Sequence, residues 1–458
     1  MQFLNSLNDV LWTYIVVVLL VGCALYFTIR LKGVQFTMVP EMFRLMLGRD
    51  RKEKTGIGSF EAFAVSLASR VGTGNLAGVA SAIFVGGPGA VFWMWVMALL
   101  GAATAFIEAT LAQLYKRRGK DSYYGGPAYY MEHGLHSKWL GVIFSVLLVL
   151  SFGMAQQLVQ SNTIIDSLND SFGWNRIAVA AIMGITLMVI IFGGIRRITR
   201  TLSYAVPFMA LGFILLTIVV IAMNAAKVPE VLRLIVGSAF GLRQVGGGLV
   251  GTAILQGVRR GLFSNEAGEG STPNAAAIAE TSHPAKQGLI QSLGVYIDTI
   301  VICTCTAFII IIAGLYDTGA DGIVLTMRSL EAEIGPLGRY FINAAIFLFA
   351  YSTVIANYYY AETNIRFITG RKGAVAAFRV ITGAIAFAGA FLSLQQIWCI
   401  VDISMGLLVI CNVTAILLLS PKAIWLLRDY RRQKNSGAEP EFHKSEMPGD
   451  VSDIECWD

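Results

Sequence analysis

The stretch SRVGTGNLAG at residues 69–78 interrupts an otherwise apolar segment of membrane length, and RRGLFSNEAGEGSTPNAAA at residues 259–277 interrupts another. Both stretches combine glycine with serine or threonine, asparagine and charged residues. A helix exposed to lipid cannot carry such a sequence, because every backbone N–H and C=O group in the hydrocarbon region needs an internal partner. We therefore predict two helices that are broken in the middle, with each break buried in protein or lining a water-filled cavity.

Composition places the rest of the chain in the membrane class. Of its 458 residues, 55% are hydrophobic and only 14% are charged, against roughly 25% charged in a soluble domain. The mean hydropathy is +0.64. The first apolar run begins with Asn5, Asn8 and Asp9 and is followed by Arg30 and Lys32, so we expect a retained helix and not a cleaved signal peptide. The sequence predicts an all-α polytopic membrane protein.

Apolar windows of about 20 residues predict eleven transmembrane helices. One is an extra N-terminal helix, and the other ten divide into five and five, with a broken helix first in each half. Because five is odd, the halves have opposite orientations, as in an inverted-topology repeat. The spans lie near 10–29, 59–83, 89–114, 139–161, 177–194, 203–223, 247–280, 287–314, 338–365, 376–394 and 397–420. The divisions are an N-terminal helix (1–29), a basic cytoplasmic segment (30–58), two repeats (59–223 and 224–421) and a largely disordered cytoplasmic tail (422–458).

The distribution of basic residues predicts the orientation of the chain. One set of alternate loops holds 25 of the 35 Lys and Arg residues, and the opposite set holds six. Basic residues accumulate on the cytoplasmic side of membrane proteins, so we expect an external N-terminus and a cytoplasmic C-terminus. The net charge of +6 then reflects membrane topology and does not indicate nucleic-acid binding.

The first break carries groups that suit an anion and a cation. Gly72 and Gly74 let the backbone leave helical geometry, and the freed amides at the start of a half-helix favour an anion such as a carboxylate. Thr73 and Asn75 add neutral donors and acceptors. Carbonyl oxygens freed on the other side of the break suit a hard cation such as Na⁺. The alternative is a packing face of small residues, which the Gly74–Gly78 spacing also fits.

The second break is richer in polar residues. Pro273 suits the first turn of a restarted helix. Glu266 and Glu269 each cost about 2.5–3.5 kcal/mol at membrane depth unless they are paired, and Arg70 and Arg260 are candidate counter-charges. An ion-paired scaffold is the alternative to a functional role. The sequence leaves open the roles of Glu266, Glu269, Asp298 and Asp402.

Other residues argue against several protein classes. The six cysteines form no CxxC pair, and we interpret them as packing residues. His133 and His136 fall in a polar loop, and no predicted span contains a histidine, so neither a metal site nor a hydrolase with a histidine base is expected. Rings of polar groups typical of channels are not evident. No cofactor is expected, and the chain is predicted not to be an enzyme.

Three stretches resemble one known family. They are SRVGTGNLAGVASAIFVGGPGAVFWMW at 69–95, GLFSNEAGEGSTPNAAA at 261–277 and QGLIQSLGVYIDTIVICT at 287–304. They look like the alanine or glycine:cation symporter family, which in turn resembles the amino acid–polyamine–organocation superfamily with its five-plus-five repeat of the leucine-transporter type. The resemblance implies Na⁺-coupled uptake of a small neutral amino acid across a bacterial cytoplasmic membrane by alternating access. A proton-coupled symporter and a non-transporting amino-acid sensor remain alternatives.

The resemblance also implies roles for individual residues. Amides of the first break would bind the substrate carboxylate, and residues of the second break and of neighbouring helices would contact the rest of the substrate. Carbonyl oxygens of the first broken helix and two hydroxyls would bind Na⁺. The substrate residues are Thr73, Gly74, Asn75, Gln160, Phe263, Ser264, Asn265 and Asn357, and the cation residues are Ala68, Val71, Ser352 and Thr353.

One position departs from the family pattern. Many members carry Gly-Trp where this chain has Ala356 and Asn357. The tryptophan is expected to close the pocket over a very small side chain, so the smaller and polar asparagine leaves glycine, alanine, serine and glutamine open as substrates. The implied partners are the amino acid, Na⁺ and the lipid bilayer, and we expect a monomer.

Overall fold

The computed structural model describes residues 2–48, 57–119, 122–192, 195–241 and 247–457. Nearly all of these residues are helical, and a short antiparallel ladder pairs β1 (Arg117–Arg118) with β2 (Tyr123–Tyr124). The helices as far as the second break are α1 (Gln2–Val10), α2 (Val17–Arg30), α3 (Val34–Thr37), α4 (Val39–Leu47), α5 (Ser59–Arg70), α6 (Val79–Gly86), α7 (Gly89–Leu114), α8 (Pro127–Gly134), α9 (Lys138–Leu150), α10 (Gln156–Phe172), α11 (Arg176–Ile191), α12 (Ile195–Met223), α13 (Val228–Ala239) and α14 (Gly247–Asn265). The remaining helices are α15 (Pro273–Ala276), α16 (Pro284–Val295), α17 (Thr304–Ala313), α18 (Gly322–Ile334), α19 (Pro336–Ile368), α20 (Lys372–Ala388) and α21 (Leu394–Asn435).

Short π-helical and 3₁₀ segments link some of these helices. The π-helical segments continue the long helices with a widened turn, and the 3₁₀ segments lie in connections. The π-helical segments are Leu11–Val16, Gly74–Gly78, Ser151–Ala155 and Tyr296–Cys303, and the 3₁₀ segments are Ala225–Lys227 and Lys444–Glu446.

Membrane-length helices confirm the prediction of a polytopic all-α protein. Among the described residues, seven helical stretches are long and apolar enough to cross a membrane, and each covers one of the predicted spans. The other predicted spans correspond to shorter or broken helices, so the total of eleven and the inverted repeat remain predictions. The seven stretches are Phe3–Arg30, Gly89–Leu114, Lys138–Phe172, Leu202–Met223, Pro284–Ala313, Pro336–Ile368 and Leu394–Asn435.

Both predicted breaks are present. The first broken helix stops after Arg70 and resumes at Gly74. The second stops after Asn265, and its helix restarts at Pro273, where a missing backbone N–H is harmless. Between these ends Gly268 and Gly270 have φ of 106° and 78°, values that favour glycine because it has no Cβ.

The two breaks lie at the centre of the fold. Residues 62–83 and 257–279 are buried throughout, and α6 packs against α14, so the two broken helices touch. Helix α7 packs against both α14 and α16, and α10 packs against α19. The breaks are therefore enclosed by protein, as their polar backbone requires.

The C-terminal segment 436–457 differs from the predicted disorder. Phe442 is 1% exposed and Trp457 is 4% exposed. The Trp457 Nε1–H donates to the Gln113 carbonyl at 3.0 Å, and the Phe442 N–H donates to the Ser282 carbonyl at 2.9 Å. A few apolar side chains anchor this segment to the rest of the fold. The prediction of disorder was wrong because it rested on the polar average composition of the segment. In addition, α21 extends well past residue 420 without stopping at Pro421.

Candidate functional site

Asn75 joins the two breaks. Its Oδ1 accepts the Gly72 N–H at 2.8 Å, which replaces a helical bond lost at the first break. Its Nδ2 donates to the Ser264 hydroxyl at 3.1 Å and to Asp298 Oδ1 at 2.7 Å. Because one fully buried amide contacts both broken helices and the π-helical segment after α16, it fixes their relative positions.

Asp298 lies at the middle of this cluster, although the sequence left its role open. Its Oδ2 accepts hydrogen bonds from Ser264 Oγ and Thr299 Oγ1, both at 2.7 Å. With the Asn75 amide, three neutral donors satisfy the carboxylate. The sequence did show an acidic residue inside a predicted span. That observation alone does not distinguish a residue of the site from one that only packs between helices. The cluster gives the site a fully buried acidic group surrounded by hydroxyl and amide groups.

Gln160 contacts the first break from α10. Its Oε1 accepts both the Thr73 N–H at 3.0 Å and the Thr73 hydroxyl at 2.6 Å. The backbone amide that the resemblance assigned to a substrate carboxylate is therefore bound to a side-chain oxygen. A carboxylate oxygen has the same acceptor chemistry as the Gln160 carbonyl, so the same donors are suited to an anion.

An aromatic wall faces Gly74. The Phe263 ring packs edge-on against Trp398, with ring centroids 4.8 Å apart and an interplanar angle of 82°. A Cβ atom on Gly74 would stand 3.0 Å from Phe263 Cδ1 and 3.2 Å from Ser264 Cα, so any larger residue would push the second broken helix away. The sequence reasoning missed Trp398, because its position depends on how α21 packs and no local motif marks it.

Three of the four predicted cation residues come together. Thr353 Oγ1 lies 2.7 Å from the Ala68 carbonyl oxygen and 3.3 Å from that of Val71. Both carbonyls belong to the end of α5, where the break leaves them without helical partners. Ser352 is buried but its hydroxyl donates to Phe349 on its own helix at 2.8 Å. The oxygen cluster therefore contains Ala68, Val71 and Thr353. The Phe349 carbonyl accepts from Thr353 Oγ1 as well, at 3.0 Å, whereas among the described residues no hydrogen bond joins Ser352 to the Ala68 or Val71 carbonyl.

The hydrogen bonds of Asn265 and Asn357 are separate from those of the Asn75 cluster. Asn357 Oδ1 accepts from the Ser69 hydroxyl at 2.7 Å, and its Nδ2 donates to Gln156 at 3.3 Å. Asn265 Oδ1 accepts the Ala267 N–H at 3.0 Å and so stabilises the second break. In the described part of the chain the Asn265 Nδ2 has no hydrogen-bond partner. Both asparagines form hydrogen bonds at the breaks, and among the described residues no hydrogen bond joins either of them to Thr73 or Gln160.

The arginines do not pair as the sequence suggested. Arg260 binds both oxygens of Asp402, at 2.5 and 2.6 Å, and lies 3.9 Å from the Trp398 ring. Arg70 donates to the Gln291 carbonyl and to Thr272 Oγ1, at 3.2 and 3.3 Å. Asp402 is thus part of a buried ion pair.

Comparison with known proteins identifies the family. A model described as the sodium:alanine symporter family matches residues 1–444. The chain belongs to the sodium:alanine symporter family. Proteins of this family are transporters, so the chain is a multi-span membrane transporter and not an enzyme. The resemblance carried by the stretches at 69–95, 261–277 and 287–304 is confirmed.

Two relatives and one solved structure are similar to this symporter-family chain over most of its length. The probable sodium/glutamine symporter GlnT of Bacillus subtilis (strain 168) is 47% identical over 98% of this chain and 94% of its own length. The amino-acid carrier protein AlsT of the same organism is 45% identical over 100% of this chain and 98% of its own. The crystal structure of MhsT in complex with L-phenylalanine is 14% identical, covers 83% of this chain and 99% of its own, and has a TM-score of 0.56. That likeness shows a fold of the leucine-transporter type.

Proposed function

We propose that this chain carries a small neutral amino acid into the cell together with Na⁺ by alternating access. The observation that carries the proposal is the pair of buried helix breaks joined by Asn75, Ser264 and Asp298. Irregular backbone at membrane depth is tolerated only where it is enclosed or lines a cavity, and in transporters it forms the binding site. Family membership and the names of the relatives agree with this function.

The substrate carboxylate would bind at the first break. In our proposal it takes the place of Gln160 Oε1 and accepts hydrogen bonds from the Thr73 and Gly74 amides. The start of a half-helix also favours the negative charge. Phe263 and Trp398 form the wall nearest Gly74, and this wall would contact the substrate side chain. Glycine, alanine, serine and glutamine remain the candidate substrates, with glutamine supported by the name of GlnT.

Na⁺ would bind between the Ala68 and Val71 carbonyls and the Thr353 hydroxyl. Hard cations take oxygen ligands, and these three oxygens converge. One Na⁺ crossing 100 mV supplies roughly 2.3 kcal/mol, and a tenfold ion gradient adds about 1.4 kcal/mol. The sum sustains an amino-acid gradient of about several hundredfold, so one ion is enough to drive uptake.

The proposal includes the membrane arrangement of the chain. We propose eleven spans in a bacterial cytoplasmic membrane, with the N-terminus outside, the C-terminus inside and a five-plus-five inverted repeat from residue 59 to residue 421. Seven membrane-length helices and two broken ones support this arrangement. We also propose that a monomer is sufficient for transport.

A counterflow panel tests the function. Proteoliposomes containing the full chain are loaded with one unlabelled amino acid and exposed to the labelled form, in Na⁺ or in choline. We expect labelled alanine, glycine, serine or glutamine to accumulate only in Na⁺, and liposomes without protein to give the background. Accumulation in choline driven by a pH gradient would replace Na⁺ with H⁺ as the coupling ion. No accumulation of any amino acid under either condition would contradict transport.

A further inference from the structure

Three glutamates surround the second break, and two of them are satisfied. Glu108 accepts the N–H groups of Gly268 and Gly270 at 3.2 and 3.1 Å and also a hydrogen bond from Asn412. Glu266 accepts from the Ser69 hydroxyl at 2.5 Å and from Ser271. A carboxylate that accepts several hydrogen bonds can stay ionised inside protein.

Glu269 lies in the same buried region without such partners. It is 0% exposed, and among the described residues neither of its side-chain oxygens has a hydrogen-bond partner. Burying an ionised carboxylate without hydrogen bonds or a counter-charge is strongly unfavourable. Glu108 is equally buried but accepts hydrogen bonds, so burial alone does not explain why Glu269 lacks them.

The electrostatic surroundings of Glu269 favour a neutral carboxyl group. Three charged groups that act on it are Glu266 in its own segment, Glu108 of α7 and Asp402 of α21, and all three are acidic. Arg260 of α14 is committed to Asp402, and Arg70 of α5 donates to Gln291 and Thr272. An ionised Glu269 would therefore meet repulsion from these acids, and in the described part of the chain no ion pair with Arg or Lys offsets it.

We propose that Glu269 is a proton-binding site of the transporter. In this conformation the carboxyl group carries a proton on one of its oxygens, taken from water on an earlier opening of the site. Glu269 stands between Gly268 and Gly270, whose positive φ values mark a non-helical segment. When that segment reaches water during the transport cycle, the O–H bond breaks, the proton passes to water and the carboxylate is hydrated. The cycle rests on the proposed function, whereas the bound proton does not.

Infrared spectroscopy of the full chain in liposomes tests the bound proton directly. A protonated carboxylic acid has a C=O stretch well separated from that of a carboxylate. We expect this band in the wild type, its loss in Glu269→Gln, and its retention in the matched variant Glu266→Gln. An unchanged band in Glu269→Gln, or none in the wild type, would overturn the proposal even if no amino acid is transported.

Stability and pH dependence provide a second measurement. Glu269→Gln and Glu269→Leu replace a neutral group by a neutral group, so we expect each to unfold at or above the wild-type temperature. Glu108→Gln leaves fewer acceptors for three donors, so we expect it to unfold at a lower temperature. Amino-acid counterflow by the wild type is expected to vary with pH, and this variation is expected to disappear in Glu269→Gln. Large destabilisation of both Glu269 variants would contradict the proposal. So would the same pH profile of counterflow in the wild type and in Glu269→Gln.

Discussion

At the scale of single residues, Thr353 gives the sharpest test of the cation site. Its hydroxyl lies between the carbonyls of Ala68 and Val71, so Thr353→Val removes one oxygen while it keeps the side-chain shape. We expect the Na⁺ concentration for half-maximal uptake to rise about tenfold, which corresponds to about 1.4 kcal/mol. Uptake as a function of Na⁺ concentration is the measurement.

Thr363→Val is the matched control for Thr353→Val. Thr363 is a buried threonine on the same helix, and its hydroxyl donates to Tyr359 one turn earlier at 3.0 Å. Thr363→Val therefore removes a threonine hydroxyl from the same helix, but one that does not contact the break. Equal shifts in Na⁺ dependence for both variants would reject the assignment of the cation to Ala68, Val71 and Thr353.

Asn75 tests the substrate side of the site. Asn75→Ala removes the acceptor for the Gly72 N–H and one donor to Asp298, which costs about 1–3 kcal/mol of stability because buried polar groups are left unpaired. We expect amino-acid uptake to be lost. Asn162→Ala is the control, because this buried amide bonds to Gly389 and Leu392 instead. We expect it to destabilise similarly and to leave substrate affinity unchanged, whereas normal uptake by Asn75→Ala would contradict the site.

Residue roles were only partly predictable from the sequence. Glycine marks where the two broken helices stop, so the sequence places Thr73 and Ser264 at the breaks, whereas Gln160 follows from the resemblance and reaches the first break from α10. The sequence marks Asp298 only as an acidic residue inside a predicted span and Trp398 by no local motif, because the contacts that define their roles join separate helices. Asn357 was placed against the substrate by resemblance, yet its hydrogen bonds go to Ser69 and Gln156.

At the scale of elements, the second break depends on glycine geometry. Gly270 has φ of 78°, and a Cβ atom there would lie 2.8 Å from Asn412 Cγ. Gly270→Ala therefore imposes left-handed backbone strain of about 1–2 kcal/mol in addition to the clash. We expect a lower unfolding temperature and reduced uptake, measured on the same purified protein.

Gly261 in α14 supplies the control for this substitution. A Cβ atom there would make ordinary contacts with Met94, at 3.4 Å or more, and alanine is favoured over glycine in a helix by about 1 kcal/mol. We expect Gly261→Ala to be neutral or stabilising. If both alanine variants behave alike, the conformation of the second break is not set by Gly270.

His283, the residue that caps the N-terminus of α16, gives a pH prediction. His283 Nδ1 accepts the Ala285 N–H at 3.1 Å, so the ring is neutral and its Nε2–H faces Asp429 at 3.2 Å. Burial lowers the pKa of His283, although Asp429 acts in the opposite direction. Below about pH 6.5 the unfolded chain binds a proton that the folded His283 resists, so stability falls as pH falls.

Thermal unfolding at about pH 7.5 and about pH 5.5 measures this effect, because histidine changes charge between these values. His283→Asn keeps a side-chain acceptor at the N-terminus of α16 and removes the titrating group. We expect the wild type to lose more stability on acidification than His283→Asn. Equal losses would mean that His283 does not carry the pH dependence.

At the scale of the whole molecule, the amount of predictable structure differs between the membrane part and the C-terminus. Apolar run length fixes helices such as Gly89–Leu114, whose predicted and observed bounds coincide, because the bilayer sets a minimum length. The segment 436–457 has no such constraint. Its order depends on Phe442, Ile454 and Trp457 reaching partners elsewhere in the fold, so a composition-based prediction of disorder failed there.

The distribution of basic residues predicts the orientation of the whole molecule. Of the 35 Lys and Arg residues, 25 lie in one set of loops, and such loops face the cytoplasm. The exposed residues Asp317 and Lys372 lie in opposite sets. In a background lacking the half-buried Cys411 and Cys456, we expect a membrane-impermeant maleimide to label Asp317→Cys in intact cells and Lys372→Cys only after permeabilisation.

The two cysteine variants also test the alternation of sides in the eleven-span arrangement. In the eleven-span arrangement Asp317 lies after the extra N-terminal helix, the five spans of the first half and the first two spans of the second half. Its side of the membrane therefore depends on how many spans come before it. An external Asp317 together with a cytoplasmic Lys372 requires an odd number of crossings between them, here the single crossing by α19. Labelling of both positions in intact cells would break the alternation on which the eleven-span arrangement depends, whereas exchanged accessibility would keep the spans and reverse the orientation.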